Sequence, residues 1–275
     1  MSRDVLTFCF GVHNHQPIGN FDHVITEAVE CGYRPFLERV AARPEIRLTA
    51  HFTGSLLEWL RERTPATFDL LGRVVAAGQV ELLTGGFYEP ILAILPDHDK
   101  RAQIGRLTDY IQRQFGVTPR GMWLAERVWE PHLPLAIRSA GVEYALVDDS
   151  HFALAGLDPE ALGGYYLTEE QGAIVAVFPI NQRLRYLIPF ADVDESVRYL
   201  ESRCGRVSAI TVVDDGEKFG VWPGTHGHVY GDGWLDRFFD RVLATSWLRM
   251  ATFADVIDGT RATDRVYLPT ASYRE

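Results

Sequence analysis

The sequence predicts a single α/β barrel-like unit, and three observations predict it. Short apolar runs alternate with amphipathic, helix-like stretches along all 275 residues, which is the mark of repeated βα units rather than of segregated sheets and helices. Residue types able to do chemistry fall repeatedly just after those apolar runs, where parallel α/β folds place their ligands. No internal repeat, low-complexity tract or Pro/Gly/Ser linker interrupts the alternation, so residues 1–275 read as one domain.

Strand patterns lie at 5–12, 46–52, 80–83, 121–124, 144–147 and 209–213, each closed by a polar or glycine-containing turn. Helix patterns lie at 24–42, 55–76, 99–114, 133–139, 194–203 and 234–244. The rhythm changes over 163–189, where YYLT and AIVAVFPI flank EEQG. That segment reads as a hairpin inserted into the barrel and forming a wall of its cleft.

Composition narrows the function classes. With 47% hydrophobic residues the chain is of the globular kind. Twenty-seven basic against thirty-seven acidic side chains give a net charge of −10 without a basic cluster, which argues against nucleic acid as a partner. Three scattered cysteines, Cys9, Cys31 and Cys204, make neither a disulfide framework nor a CxxC metal site and fit a reducing cytoplasm. No run approaches the roughly 18 apolar residues of a membrane span. The apolar start leads directly into HNHQP and reads as a first strand, not a signal peptide. No GxGxxG or GxxxxGK[ST] supports a nucleotide cofactor, and no cofactor is expected.

Four motifs carry the chemistry. In HNHQP, His13 and His15 occupy alternate positions past a strand, so both project to one side. They suit sugar hydroxyls, a zinc ion, or the buttressing of a turn before Pro17. GQVELLTGGFYEPIL places Glu81 within a strand and Glu89 before a proline, which predicts extended backbone at Glu89; either acid is a substrate contact or a packing residue. WLAERVWEP sets Glu126 and Glu130 among Trp123, Trp129 and Arg127. A guanidinium favours the ionised carboxylate a nucleophile needs, and Glu126, first after the strand, is the better candidate, Glu130 the turn residue. DDGEKFGVWPGT crowds Asp214, Asp215, Glu217 and Lys218 into one turn, and repulsion between adjacent acids is one way to keep a proton on a general acid. Acids against tryptophan suit a sugar-cleaving site, because flat rings stack on the apolar faces of pyranoses. Asp148, Asp149, Ser150 and His151 invite a triad reading, but triad members come from separate loops.

In this order and spacing, the four motifs resemble glycoside hydrolase family 57, and within it the 4-α-glucanotransferase and α-amylase-like branch. The resemblance runs from the first strand to PTASY. It implies a distorted (β/α)7 TIM-like barrel acting on α-glucans such as starch, glycogen or maltodextrin with retention of configuration. It implies Glu126 as nucleophile and Asp215 as general acid/base, with His13, His15, Glu81, Trp123, Asp214 and Trp222 lining the sugar subsites. Members of the family continue beyond PTASY into helical and β-rich regions, so a homo-oligomer or a completing partner chain is a further expectation. Two other readings compete: a metal-dependent hydrolase built on His13 and His15, and a glucan-binding chain without turnover.

Overall fold

The computed structural model describes residues 5–273. In chain order the strands are β1 (Leu6–Asn14), β2 (Leu48–Phe52), β3 (Val80–Leu83), β4 (Gly121–Met122), β5 (Tyr144–Asp148), β6 (Tyr166–Glu170), β7 (Ala173–Ile180), β8 (Ala209–Asp215), β9 (Leu248–Met250) and β10 (Asp264–Arg265). Parallel ladders join β3 to β2, β2 to β1 and β1 to β8, and likewise β4 to β5 and β5 to β7. A bridge between Thr84 and Met122 links β3 to β4, and the Asn181 N–H donates to the Thr211 carbonyl (2.8 Å) between β7 and β8. Seven parallel strands therefore follow one another in a ring, in the order β1-β2-β3-β4-β5-β7-β8. The distortion lies at the β7/β8 joint, which has contact without a ladder.

The hairpin is present, since β6 pairs antiparallel with β7 through a Gln171-Gly172 turn in which both residues have positive φ (51° and 82°). Its second strand is, however, itself a member of the ring, so the insertion is β6 alone, extended outward by β10. The turn precedes β7 and so lies at the end of the barrel opposite the strands' carboxyl ends; it is no wall of the cleft described below.

Helices α1 (Asp22–Ala28) and α2 (Arg34–Ala41) continue through a π-turn, Val29–Tyr33, as the single helix expected over 24–42. The helix expected over 55–76 is two, α3 (Gly54–Arg63) and α4 (Pro65–Ala76). Thr64 between them is non-helical (φ −134°, ψ 61°), because the ring of Pro65 disfavours helical backbone in the residue before it. The remaining helices are α5 (Asp97–Phe115), α6 (Leu133–Ser139), α7 (Asp149–Leu154), α8 (Gln182–Leu187), α9 (Val193–Arg203), α10 (Trp234–Leu243) and α11 (Phe253–Gly259). None among the described residues is long and apolar enough to cross a membrane.

Side-chain alternation along the strands sorts the core into layers. Phe8, Phe10 and Val12 of β1 join Ile210 and Val212 of β8 under the helices, while Cys9 joins Val213, Leu83, Tyr144, Leu146 and Phe178 inside the ring. Phe253 at the start of α11 packs against Tyr144 and Phe178 (ring centroids 6.0 and 4.8 Å) and plugs the lower end. Gly121 leaves room for the interior Tyr144, whose ring a Cβ at that position would meet at 1.9 Å.

Candidate active site

The same alternation carries chemistry to the upper end. His13 has the parity of Cys9, Trp123 that of Gly121, and Asp215 that of Val213, so all three point along the inside of the ring where the strands end. A cleft of about 290 Å3 opens there, and six of the eight singled-out residues line it: His13, His15, Trp123, Glu126, Asp215 and Trp222. Trp123 is buried and lies parallel to the His13 ring (centroids 4.5 Å, 16°), forming the cleft floor.

The two histidines do project to one side, and they meet on Glu89. His13 Nε2 and His15 Nδ1 each lie 3.0 Å from one of its carboxylate oxygens. Burial opposes the charge of Glu89, but His13 and His15 outweigh it and hold the carboxyl well below the usual range. The hydrogen bond that His15 donates to Glu89 in turn raises the His15 pKa against burial. Behind them the Nδ1 atoms of His13 and His51 are 2.8 Å apart. Burial, then His13, pushes the His51 pKa down to about 3, so that ring is neutral. The ligand atoms of His13, His15 and Glu89 all lie within 4.8 Å of one another, a donor set able to hold a metal ion.

Glu126 leaves β4 on a strained turn. Its backbone is left-handed (φ 51°, ψ 17°), and Arg127 follows with φ 48°. Glu89 also has φ 54° rather than the extended conformation expected before Pro90. Three of the four non-glycine residues with positive φ among those described thus sit in this cleft, where backbone strain is characteristic of functional sites. The Glu126 turn is held from both sides: the Tyr273 N–H donates to the Glu126 carbonyl (3.4 Å), and His151 Nε2 lies 2.8 Å from the Arg127 carbonyl. That contact occupies His151 and removes the triad reading. Arg127 turns away from the role expected of it, pairing with Asp148 (3.4 Å) and packing on the rings of Trp123 and Tyr273 (5.3 and 4.5 Å). Glu130 accepts from Thr270 (2.7 Å) outside the cleft, as a turn residue should.

Asp214 and Asp215 face opposite ways, as neighbours on a strand must. Asp214 has the outward parity of Val212; it is buried beside the cleft and paired with Arg185 (3.1 Å) and Lys218. Its Oδ1 accepts the Asp215 N–H (3.0 Å) and so fixes the turn that presents Asp215. The charge of Asp214 is met by these two cations. Burial pushes the Glu217 carboxyl upward, partly offset by His13 and by hydrogen bonds from Tyr33 and the His15 N–H.

Glu81 is not brought to the cleft. It lies low in β3, with inward parity, and accepts from Tyr144, from the Ala254 N–H (3.1 Å) and from Thr49 (3.3 Å) at the lower end of the barrel. In its place the cleft gains Glu89, Glu217, Arg127, Arg185 and Tyr273. Arg185 lies in α8, the short helix that begins just past the carboxyl end of β7, a position that becomes visible once β7 is read as part of the ring. Tyr273 closes PTASY, and no local signal ties it to a site formed 50 and more residues earlier.

Comparison with known proteins gives the family and the fold. Residues 9–269 match the model of glycosyl hydrolase family 57. The chain is 48% identical over 274 residues to an α-amylase of Dictyoglomus thermophilum and 46% identical over 274 residues to a 4-α-glucanotransferase of Thermococcus kodakarensis; the matches cover 98% and 99% of it. The crystal structure of the 4-α-glucanotransferase from Thermococcus litoralis superposes with a TM-score of 0.96 at 46% identity over 98% of this chain and 43% of that one. The chain spans only 40% and 42% of the length of the two relatives.

Proposed function

Because the chain belongs to glycosyl hydrolase family 57, we propose that it is the catalytic barrel of a retaining α-glucan-active enzyme of the 4-α-glucanotransferase or α-amylase type. One observation carries the reading: Glu126 and Asp215 open into the same cleft over a tryptophan floor at the carboxyl ends of the strands. In the double displacement, Asp215 protonates the glycosidic oxygen of starch, glycogen or maltodextrin while Glu126 attacks the anomeric carbon. The bond to the leaving sugar breaks and a glycosyl–Glu126 ester forms. Asp215 then deprotonates the acceptor, which displaces Glu126; water gives hydrolysis and a sugar 4-hydroxyl gives transfer. Retention requires the two carboxyl groups to stand about 5 to 5.5 Å apart in the liganded site.

The surroundings support these assignments. Trp222 offers a ring to a pyranose face, Trp123 backs the cleft floor beneath His13, and the His13–Glu89–His15 group offers hydrogen-bonding atoms to hydroxyls. Asp214 acts behind Asp215, holding its backbone rather than touching sugar. We place the protein in a reducing compartment, the cytoplasm, in keeping with the small number and scatter of its cysteines.

The test is incubation of the protein with maltoheptaose, resolving products by length. Longer and shorter oligomers together mean transfer; shorter ones alone mean hydrolysis. Glu126→Gln should abolish either, and Asp215→Asn should lower the rate about 10²- to 10⁴-fold. Binding without products would favour the glucan-binding reading. The donor set of His13, His15 and Glu89 keeps a metal-dependent hydrolase as the second reading, and undiminished activity after exhaustive chelation excludes it.

A further inference from the structure

Trp222 is 40% exposed at the cleft rim, and beside it Phe190 is 46% exposed. The two rings lie nearly parallel (centroids 6.1 Å, 26°). Phe190 belongs to no motif considered above and does not line the cleft itself.

Both residues are held firmly despite their exposure. The carbonyl of Pro189, before Phe190, is bound by His228 Nε2 (2.9 Å), and that of Ala191, after it, accepts from the Trp234 indole (2.7 Å). The Trp222 N–H donates to the Glu217 carbonyl (3.0 Å), and its own carbonyl accepts from the Thr225 hydroxyl (2.7 Å). The buried Lys218 ammonium serves both rings, at 5.5 Å from Phe190 and 5.2 Å from Trp222, and also pairs with Asp214. The pair is thus tied through Lys218 to the turn that presents Asp215.

Two large rings, side by side, rigid and continuous with a polar cleft, have the form of a ligand surface rather than of scattered surface apolarity. We propose that Phe190 and Trp222 form a stacking platform for a glucose unit of the bound glucan lying outward from the reacting carboxylates, with Phe190 extending the site beyond Trp222. This rests on the α-glucan reading of the cleft. The occupant follows from the chemistry: a pyranose has an apolar C–H face for the rings, and its edge hydroxyls stay in water at the open rim. Because the backbone carrying the rings is already hydrogen-bonded, only the side chains are ordered when sugar binds.

The experiment is calorimetric titration of maltoheptaose into the Glu126→Gln protein, alone and combined with Phe190→Ala or Phe190→Tyr, with a thermal melt of each variant. Phe190→Ala should weaken binding about three- to tenfold, the loss of one stacking contact. Phe190→Tyr, which keeps the ring, should restore it. Equal affinity of the Ala variant and its parent overturns the platform and leaves the α-glucan reading standing. So does a Tyr variant that melts like its parent but binds as weakly as Ala. If the parent does not bind maltoheptaose, the α-glucan reading falls and the platform with it.

Discussion

Glu126→Gly should make this protein more stable than Glu126→Ala while both lack activity. An L residue held in left-handed backbone costs about 1 to 2 kcal/mol, from the closeness of Cβ to the following carbonyl oxygen, and glycine is free of that contact. Glu126 is so held, at φ 51°. Against this stands the greater freedom of glycine in the unfolded chain, roughly 0.5 to 1 kcal/mol relative to alanine. The carboxylate end is exposed, and the bond from the Tyr273 N–H reaches the backbone carbonyl, which every substitution keeps. The difference between the Gly and Ala variants should therefore be about 0.75 kcal/mol in favour of glycine when the midpoints are subtracted, or about 1.5 to 3 °C in melting temperature. Glu89 has nearly the same φ of 54°, but its side chain is 9% exposed and touches two histidines at 3.0 Å. Glu89→Gly should lose about 3 kcal/mol, because breaking a buried pair outweighs the strain released. Urea unfolding of the variants checks both signs. A Glu126→Gly protein no more stable than Glu126→Ala, or a Glu89→Gly protein more stable than the parent, refutes the reasoning.

The His15 imidazole should titrate above its ordinary 6.5, since the hydrogen bond it donates to Glu89 exceeds the opposing effect of burial. The stabilisation it lends is therefore complete below the unfolded pKa and is lost as pH rises through the higher folded value. In Glu89→Gln the midpoint followed by the imidazole proton resonance should fall, and an unchanged midpoint would mean that Glu89 is not its partner. Arg185→Met should cost about 3 kcal/mol, the lower end for breaking a buried pair. Asp148 and Asp214 are 4% and 7% exposed, yet each keeps a second cation, Arg127 or Lys218. A loss below 1 kcal/mol in denaturant unfolding would show that those two cations suffice.

Much of this architecture was legible because barrel strands are short, apolar and regularly followed by polar turns. The strand expected over 80–83 and the helix expected over 133–139 stand at those bounds, Val80–Leu83 and Leu133–Ser139. Other boundaries failed for local reasons that were also written in the chain. Pro65 breaks a helix, and AIVAVFPI, apolar at every position, suits a strand covered on both faces better than the arm of an exposed hairpin. The left-handed turns at Glu89, Glu126 and Arg127 were not legible, since none has the glycine that would announce positive φ. Tyr273 reaches the cleft because Ala271 bridges to Trp129 and its own N–H bonds the Glu126 carbonyl, and such contacts leave no mark on nearby sequence.

The choice between neighbouring acids shows how position in a strand decides chemistry. Because both faces of β8 are buried, composition alone does not say which face looks inward, and Asp214 and Asp215 look equivalent in the sequence. Period two separates them once Val213 is known to lie inside the ring: Asp215 opens into the cleft, and Asp214 turns to Arg185 and Lys218. Height along the strand separates the glutamates of the third motif in the same way. Glu81, second in β3, is inward but low, and its oxygens are taken up by Tyr144, Thr49 and the start of α11. Glu89, past the strand's end, reaches both histidines. An inward parity alone thus selects the barrel interior, and only parity together with a place at or beyond the strand's end selects the cleft. His13, Trp123 and Asp215 meet both conditions and line the cleft, whereas Asp214 fails the first and Glu81 the second, so these two buried acids are bonded into the scaffold instead.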